Sequence, residues 1–495
     1  MSSFLVRLIS VSLLLIQCIE CLSNEHKRRL EIVSTNRNGG HTKAFHINAE
    51  GNPVVDQSSS SATAKRRIQG LQQINSAIRS TFLPSGYPTR TPPGYLQYSV
   101  WSWIQDLSTQ LRSVLATQRV LEGVGVGREG ATAISALMNY LIRDGCGMAA
   151  NLLFTSGWST RFRTDIKRWR LFADTILDVG ITCEVAAVLV PQAFFLPMIS
   201  MGNICKSICG VAAGACGGAI NLHWAKGSDI SDINAKFGAQ HTCTGALGLV
   251  FAAVFARSVN QTKPAVLWSL YFLLTFLHVF ANTRCMKLIA FDSCNNTRLD
   301  ILLSEFFSRS RDDGATTSNE LLLQNLSTPT EVSRIESLFF GVGDGHKRLL
   351  TSVLFRFGVD FEEYHQSSGG TVPMRSDGKV EFNGEKYIVT AGTTKRNKKC
   401  IAVSFLSDAS ARDVTKAYFH AMFLAVQIQN GGGDTSNSLS VVEDLWQSFE
   451  ALATNAGWDL DKTELRSEGY ELTLHQTSHD DKILRKPVKG SQTNS

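Results

Sequence analysis

Long apolar runs dominate the hydrophobic pattern of this chain between residues 181 and 282. Four such runs follow one another with few interruptions. They cover residues 181–201, 204–222, 242–259 and 265–281. Each run approaches the ~20 residues that an α-helix needs to cross a ~30 Å hydrocarbon layer. Their only formal charges are Glu184, Lys206 and Arg257. The pattern predicts a mainly α-helical membrane-associated module, with about four long apolar helices, embedded over residues 181–282.

The same pattern also fits the buried helical core of a water-soluble protein. Pro191 and Pro197 interrupt the first run, and the second run is rich in glycine and alanine rather than leucine. The mean hydropathy of the whole chain, -0.02, is ordinary for a soluble protein. The clustering of the runs favours the membrane interpretation, and the soluble one stays open.

Glycines with the spacing of helix-contact motifs occur in two places. Helices in lipid gain little from apolar burial against each other, so close backbone approach through small residues matters more. We therefore predict helix contacts at these glycines. They are Gly123, Gly125, Gly127, Gly210, Gly214 and Gly218.

Gly125, Gly127 and Gly130 also match the pattern GxGxxG. This pattern binds a dinucleotide when it follows a strand and opens a helix in a βαβ unit. The residues before it have a helical pattern, so close helix contact is the favoured interpretation. A nucleotide- or pyridoxal-phosphate-binding enzyme that uses residues 123–130 remains an alternative.

Composition divides the rest of the chain into segments. Residues 1–23 resemble a signal peptide or signal anchor, because Arg7 precedes a short apolar stretch. The polar residues 24–80 are predicted to be disordered, although residues 43–48 have the pattern of an edge strand. The remaining predicted segments are a helical core at 81–303, a linker at 304–337, a small α+β domain at 338–478 and a disordered tail at 479–495.

The C-terminal domain alternates strand-like and helical patterns. Residues 385–391 and 400–406 predict a pair of strands, and residues 470–475 predict a last strand. Residues 409–429 and 441–455 predict helices. These elements predict a two-layer α+β sandwich, which follows the helical module.

Charge and cysteine content exclude several classes of function. The net charge of +6 is modest for 495 residues, and aromatic residues are not interleaved with the short basic clusters, so we expect no nucleic-acid partner. Many of the 11 cysteines lie in apolar runs, where they are small buried hydrophobes. The sequence therefore predicts neither a disulfide framework nor a metal site, and it assigns no cofactor.

Polar residues within or beside the apolar runs are the candidate ligand-binding groups. Ionisable side chains at membrane depth are costly, so they line a cavity or pair with one another. The candidates are Glu184, Asn203, Lys206, His223, Lys236, Gln240 and Asn282.

A charged patch lies directly before the first apolar run. Asp174 and Asp178 are one helical turn apart and share a face of the predicted helix. They either pair with Lys167 or Arg170 or face a cavity. The patch consists of Lys167, Arg168, Arg170, Asp174 and Asp178.

Several ordered motifs together resemble the root UVB sensitive (RUS) family, whose domain is described for vitamin B6 photoprotection and homeostasis. The similarity is strong over about residues 83–303 and weaker beyond. The motifs are LPSGYP (83–88), LATQ (115–118), GVGVG (123–127), RDGxGM (143–148), KRWRLFAD (167–174), DINAKFGAQ (232–240) and LHVFAN (277–282).

The resemblance implies a link to UV-B responses and vitamin B6 homeostasis, and a membrane location for animal members. It implies no agreed reaction or catalytic residues. The chain departs from the family pattern at Gly217, where an arginine is expected, and at His241, where a glutamate is expected. Gly94 and Ser102 stand where acidic residues are usual. Any work that those charges perform in relatives is absent or altered here.

Two function classes follow from these observations, and the enzyme alternative above is the third. The first is an integral membrane protein that binds or transports a small metabolite of unknown identity. The second is a membrane-anchored scaffold that recruits partners through the C-terminal α+β domain. The expected partners are the lipid bilayer and a second RUS-type subunit, identical or homologous. If the leader at residues 1–23 is real, the expected location is the endoplasmic reticulum or another secretory-pathway membrane.

Overall fold

The structure is a computed structural model with two compact units. It describes residues 32–35, 42–47, 53–55, 73–125, 133–259, 264–312, 325–339, 353–367, 384–393, 399–429 and 438–473. The helical unit comprises Met1–Asn151, Asp174–Gly210 and Gly217–Cys285. The C-terminal unit comprises Leu152–Ala173, Val211–Cys216 and Met286–Ser495. The predicted leader at 1–23 and the predicted tail at 479–495 lie outside the described residues.

The described part of the chain is mostly helical and carries a small sheet near its C-terminal end, as the sequence predicts. In chain order its helices and strands are β1 (Ile32–Thr35), β2 (Thr42–Ile47), β3 (Pro53–Val55), α1 (residues 73–82), α2 (Tyr95–Val124), α3 (Ala133–Trp158), α4 (Ile166–Ala186), α5 (Gln192–Trp224), α6 (Ile230–Val259), α7 (Pro264–Leu288), α8 (Asn296–Asp312), α9 (Pro329–Ile335), β4 (Leu354–Phe357), α10 (Phe361–Ser367), β5 (Tyr387–Thr393), β6 (Lys399–Leu406), α11 (Ala411–Gln429), α12 (Ser438–Asn455) and β7 (Glu471–Leu472).

The first two apolar runs do not form separate helices, contrary to the prediction. The first run begins inside α4 and passes through a turn of 3-10 helix at Ala187–Leu189. Pro191 then caps α5, because proline is tolerated at the start of a helix but lacks the N–H that an interior position needs. The helix α5 continues through Pro197 and includes the whole second run. Two described helices, α5 and α7, are long and apolar enough to cross a membrane.

Part of the polar segment 24–80 lies among the described residues, and the disorder of this segment stays a prediction. Its described residues form a three-stranded antiparallel sheet in the order β1-β2-β3 and the helix α1. The segment predicted as an edge strand is therefore the central strand, β2, in which Phe45 pairs with Ile32 and Val55. The segment is polar on average, but its three strands contain β-branched residues, which favour extended backbone.

The helical unit has an apolar interior and an apolar exterior. Its interior includes Leu111 and Leu115 on α2, Ile181 on α4 and Leu274 on α7. Large apolar side chains also cover its outside, and we call them the outer apolar surface. They are Ile134, Leu137, Met138, Leu141 and Met148 on α3, Leu249, Val250 and Val254 on α6, and Phe272, Leu273, Phe276 and Phe280 on α7.

The C-terminal unit contains the predicted α+β elements. The strands β5 and β6 pair antiparallel, with Tyr387 opposite Phe405, which confirms the predicted pair. The strands β4 and β7 both run parallel to β6, so the sheet order is β4-β6-β5 with β7 beside the end of β6. Its core joins Phe419 on α11 to Trp446 and Phe449 on α12. The short strand β4 was not predicted.

The C-terminal unit has residues on both sides of the predicted boundary at residue 303. Its last stretch starts at Met286, and Phe306 and Phe307 on α8 contact Phe419 in its core. Part of the predicted linker 304–337 is also helical. Thr328 and Glu331 form a capping box that starts α9, and Val332 on that helix is buried.

Candidate functional site

A buried ion pair joins α2 to α4 in the helical unit. Arg112 is fully buried and its guanidinium forms an ion pair with the carboxylate of Asp178. Arg112 also donates to Thr275 Oγ1 on α7 at 3.4 Å. An arginine with an apolar surrounding needs such partners, because an unpaired buried charge costs several kcal/mol, of order 3–5.

His278 on α7 is the third member of this group, which we call the buried ion cluster of Arg112, Asp178 and His278. Its Nδ1 lies 3.0 Å from the Asp178 carboxylate. A carboxylate only accepts hydrogen bonds, so Nδ1 carries a proton and donates it to Asp178. The other ring nitrogen, Nε2, is buried and has no partner among the described residues. The cluster therefore contains one nitrogen whose bonding capacity is unused.

Further polar contacts surround the cluster. Gln105 on α2 donates through Nε2 to Asp174 at 2.7 Å, and Tyr271 on α7 shares a hydrogen bond of 2.7 Å with Thr182. Asp174 and Asp178 thus share a face of α4, as their spacing predicts. Asp174 accepts a hydrogen bond from Gln105, and Asp178 contacts Arg112 and His278.

Asn282 lies one helical turn beyond His278 on the same face of α7. It is 0 % exposed, and neither its amide nitrogen nor its amide oxygen has a partner among the described residues. Asn282 was a candidate from the sequence, whereas Arg112, Gln105 and His278 were not. The available signal was the spacing of α2, which puts Arg112 next to Leu111 and one turn before Leu115 on the buried face.

Glu184 and Lys206, two candidates from the sequence, form an ion pair between α4 and α5. Glu184 is buried, and its Oε1 has no partner in the part of the chain that the structure describes. Asn203, one turn before Lys206, donates to the Arg143 carbonyl oxygen at 3.1 Å and to Asp144 Oδ1 at 3.3 Å. These residues connect α3, α4 and α5.

Close helix contact in the helical unit depends on glycines other than those predicted in the second run. A Cβ at Gly180 would lie 2.7 Å from the Gly202 carbonyl oxygen, and one at Gly202 would lie 2.8 Å from Glu184 Cγ. A Cβ at Gly123 would overlap the ring of Phe195, as close contact there requires. Gly125 ends α2 with a φ of 90°, and Gly127 lies outside the described residues.

Gly210, Gly214 and Gly218 make no such contact. A Cβ at any of the three would meet no described heavy atom within 4 Å, so the predicted contacts are absent there. Spacing alone cannot distinguish a contact glycine from one on an open face, because both occupy every fourth position.

Substitution of Gly202 by alanine is expected to destabilise the helical unit by about 1–3 kcal/mol, because the new methyl group has no space. The matched substitution Gly218→Ala, in the same helix, is expected to be neutral or to stabilise the helical unit by up to about 1 kcal/mol, since alanine is the better helix former. Thermal unfolding of the purified protein in detergent measures both. Equal effects at the two positions would contradict the contact at Gly202.

Lys236, Gln240 and His223 have structural partners. Lys236 on α6 pairs with Asp232 at 3.3 Å, and Asp232 accepts from the Ser85 backbone N–H at 2.7 Å. Gln240 donates to the Phe82 carbonyl oxygen at 2.7 Å. His223 packs edge-on against Trp224. These contacts hold the LPSGYP segment against the DINAKFGAQ segment, which brings two of the sequence motifs together.

The charged patch divides between the two units. In the C-terminal unit Lys167 pairs with Glu336 at 2.8 Å, and Arg298 pairs with the same carboxylate at 3.1 Å. Lys167 also donates to Ser333 at 2.8 Å. Arg168 donates to the Ser337 carbonyl oxygen at 3.1 Å, and Arg170 is partly exposed.

The cations of Lys167 and Arg298 share the buried carboxylate of Glu336, and this arrangement shifts the pKa values of Glu336 and Lys167. Burial alone would raise the pKa of Glu336, but Arg298 and Lys167 outweigh it and lower that pKa to about 2. Burial, with help from the Arg298 charge, lowers the pKa of Lys167 to about 8. Glu336 is therefore ionised at neutral pH and holds the two cations in place.

The glycine pattern GxGxxG follows a helix of 30 residues rather than a strand, so its setting is not that of a dinucleotide site. Within the described residues no group of three or more His, Cys, Asp or Glu side chains is placed to hold a metal ion. The remaining candidate chemistry belongs to the buried ion cluster with Asn282 and to the Glu184 and Lys206 pair.

These features define a mostly helical protein that buries ion pairs between its helices and carries a small α+β unit. Residues 68–310 match the family model described as the vitamin B6 photo-protection and homoeostasis domain. The chain belongs to the root UVB sensitive family.

Named relatives extend this similarity. Protein root UVB sensitive 3 of Arabidopsis thaliana is 27 % identical over 408 residues, which are 82 % of this chain and 87 % of that protein. RUS family member 1 of Dictyostelium discoideum is 32 % identical over 262 residues, which are 53 % of this chain and 47 % of that protein. Protein root UVB sensitive 5 of Arabidopsis thaliana is 23 % identical over 471 residues, 89 % of this chain and 86 % of its own length. No solved structure matches the chain.

Proposed function

We propose that this chain is an integral membrane protein whose helical unit binds a small metabolite and moves it across the bilayer. The observation that carries the proposal is the distribution of polarity in that unit. Arg112 and Asp178 form a buried ion pair, the buried Glu184 pairs with the partly exposed Lys206, and large apolar side chains are exposed on the outside of the unit. Ionisable groups inside a membrane face the interior of a bundle and mark the path of a substrate or ion.

The size of the outer apolar surface favours lipid over water as its solvent. Ile134 is 73 % exposed, Leu249 70 % and Phe276 68 %. Burying one such side chain is worth about 1.5–3 kcal/mol, so the twelve residues of this surface, each roughly half exposed, amount to roughly 10–20 kcal/mol. That is comparable to the whole stability of a typical domain, about 5–15 kcal/mol, and a water-soluble monomer rarely leaves so much apolar area exposed.

The helices α5 and α7 are the proposed spans, because they have the required length and hydropathy. The helix α7 carries His278 and Asn282 on one face and the phenylalanines of the outer apolar surface on others. A single helix with a buried polar face and an exposed apolar face fits a position at the edge of a bundle in lipid.

The ligand is proposed to be a small polar molecule, because the buried polar groups available to it are few. The family's description concerns vitamin B6, so pyridoxine and pyridoxal phosphate are the first probes. A location in a secretory-pathway membrane and association with a second RUS-type subunit remain predictions from the sequence.

Alkaline carbonate is expected to leave the full-length protein in the membrane pellet, and detergent is expected to release it. A charged substitution sharpens this test. Phe276→Arg should lower the yield of membrane-inserted protein several-fold, because arginine at the centre of a membrane helix costs about 2.5–3.5 kcal/mol. The matched substitution Phe339→Arg changes a phenylalanine that is 52 % exposed in the C-terminal unit, and it should have no such effect. Release of the wild-type protein by carbonate would contradict a membrane-spanning helical unit.

Transport is tested separately in liposomes that contain the purified protein. Accumulation of radiolabelled pyridoxine or pyridoxal phosphate above that in protein-free liposomes is the expected result. The variant Asn282→Ala should reduce it, whereas Gly214→Ala should not. Absence of both uptake and binding for every B6 vitamer, in protein that is correctly inserted, would remove the vitamin B6 part of the proposal.

A membrane-anchored scaffold is the second candidate function. The C-terminal unit favours it, because that unit has its own core around Phe419 and Phe449. In that case the substitutions Asn282→Ala and His278→Gln in the helical unit would leave cellular function intact. Disruption of the C-terminal core by Phe419→Ala would abolish it.

A further inference from the structure

The Nε2 nitrogen of His278 is one of the buried titratable atoms without a hydrogen-bond partner among the described residues of the helical unit. The side chain is 1 % exposed, its Nδ1 is engaged by Asp178, and its Nε2 has no partner among the described residues. Because Nδ1 carries the proton, Nε2 of the neutral ring has a free lone pair. A buried lone pair without a hydrogen-bond donor costs free energy, so its retention needs an explanation.

The charges around His278 come from three helices. Arg112 faces it from α2, and Asp178 faces it from α4, with Asp174 one turn away and bonded to Gln105. On α7 itself Arg284, Cys285 and Tyr271 are the nearest titratable groups along the helix. The pair of Arg112 and Asp178 is neutral, so protonation of Nε2 would change the charge of the buried ion cluster from 0 to +1.

We propose that His278 carries a proton for the transport reaction, and that this proton binds at Nε2. In the step the Nε2 lone pair takes a proton from a hydronium ion, the ring becomes an imidazolium, and water leaves. The proton returns to water by the reverse step. Asp178 stabilises the imidazolium through Nδ1, and Arg112 holds Asp178 in position. The inference rests on the proposed transport function, because only a group that meets water on both sides in turn can carry a proton across.

Asn282 couples the proton to a ligand. Its amide lies one turn from His278 and offers an unused donor and an unused acceptor. A ligand bonded to Asn282 next to Nε2 would gain or lose a hydrogen bond when His278 becomes protonated, so the two binding events depend on each other.

A second buried histidine, His420 in the C-terminal unit, provides a comparison for His278. His420 in the C-terminal unit has its Nδ1 3.3 Å from the Tyr387 hydroxyl rather than beside a carboxylate. Burial and the Lys416 charge lower the pKa of His420 to about 4. His420 therefore stays neutral near pH 7 and serves as an internal reference.

Nitrogen NMR of the full chain, labelled with [15N]histidine and inserted into nanodiscs, tests the proton site without knowledge of the ligand. The signals of His278 and His420 are assigned by their loss in His278→Gln and His420→Gln. At pH 8 His278 should show a protonated Nδ1 and an unprotonated Nε2. Its Nε2 signal should move to that of an imidazolium when the sample is acidified from pH 8 to pH 5. The His420 signal should stay neutral throughout.

The variant Asp178→Asn should make the imidazolium form of His278 less favourable, because it removes an adjacent negative charge. If Asp178→Asn does not fold, the wild-type titration still decides. A His278 that is protonated on Nε2 at pH 8, or one whose signal does not change between pH 8 and 5, would overturn the proton site.

Liposome uptake separates this inference from the transport proposal. In the wild type a pH gradient should drive accumulation of the pyridoxine probe, and His278→Gln should abolish the effect of the gradient. The control His241→Gln removes an exposed histidine paired with Asp106 and should keep the gradient effect. Uptake that ignores the pH gradient would overturn the proton role alone. Absence of uptake with an intact NMR titration would contradict the proposed B6 transport and leave the proton site established.

Discussion

Substitution of Arg112 by alanine is expected to lower the free energy of unfolding of the helical unit by about 3–5 kcal/mol. The large effect arises because Asp178 would keep its negative charge in a buried position without its main partner. His278, the other neighbour of Asp178, is neutral while its Nε2 is unprotonated and can replace only part of the lost charge. Thermal unfolding in detergent, followed by circular dichroism, measures the change.

The control for this prediction lies on the same helix. Arg119 pairs with Glu122 at 2.8 Å at a partly exposed position, so Arg119→Ala should change the stability by no more than about 1 kcal/mol. The double variant Arg112→Met with Asp178→Leu should recover much of the loss, because it removes both charges together. Similar losses for Arg112→Ala and Arg119→Ala would mean that the ion pair is not buried in solution.

Substitution of Glu336 by glutamine is expected to destabilise the C-terminal unit by about 3–5 kcal/mol near pH 7. The change leaves Lys167 and Arg298, both buried, without the carboxylate that they share. Urea unfolding followed by tryptophan fluorescence measures it. The surface pair of Arg163 and Glu464 provides the control, because Glu464→Gln should cost no more than about 1 kcal/mol.

The effect of Glu336→Gln should depend on pH in a defined window. The pKa of Glu336 falls from 4.5 to about 2 in the folded protein. A group whose folded pKa is lowered contributes its stability fully above the unfolded value and loses it as the pH falls through the folded value. The difference between wild type and variant should therefore be constant above about pH 5 and shrink between pH 4.5 and 2. A difference that grows on acidification would contradict the ionised state of Glu336.

Elements with a strong local signal could be predicted from the sequence. The period of α11 and the alternation of β5 and β6 are local properties, and each is found where expected. The division of the first two apolar runs could not be predicted, because Pro191 caps the start of α5 whereas Pro197 lies inside the same helix. Proline is disfavoured inside a helix at either position. The sequence alone does not tell which of the two, Pro191 or Pro197, is accommodated in a helix interior.

The candidate site was predictable only in part, since its partners are distant in the chain. The spacing of Asp174 and Asp178 indicated a shared face, but Arg112 is 66 residues before Asp178 and His278 is 100 residues after it. A charged residue in an amphipathic helix is assigned to the solvent side unless a partner is known. Asn282 could be selected because it borders an apolar run, while the unused capacity of His278 follows from Asp178 occupying its other nitrogen.

The close contact of Gly180 with Gly202 has a mechanical consequence. A short turn joins the helices α4 and α5, and the Glu184 and Lys206 ion pair and the glycine contact hold them together. Asp178 lies on α4, half a helical turn from Gly180. A shift of α5 against α4 at the Gly180 and Gly202 contact is therefore expected to move Asp178 as well.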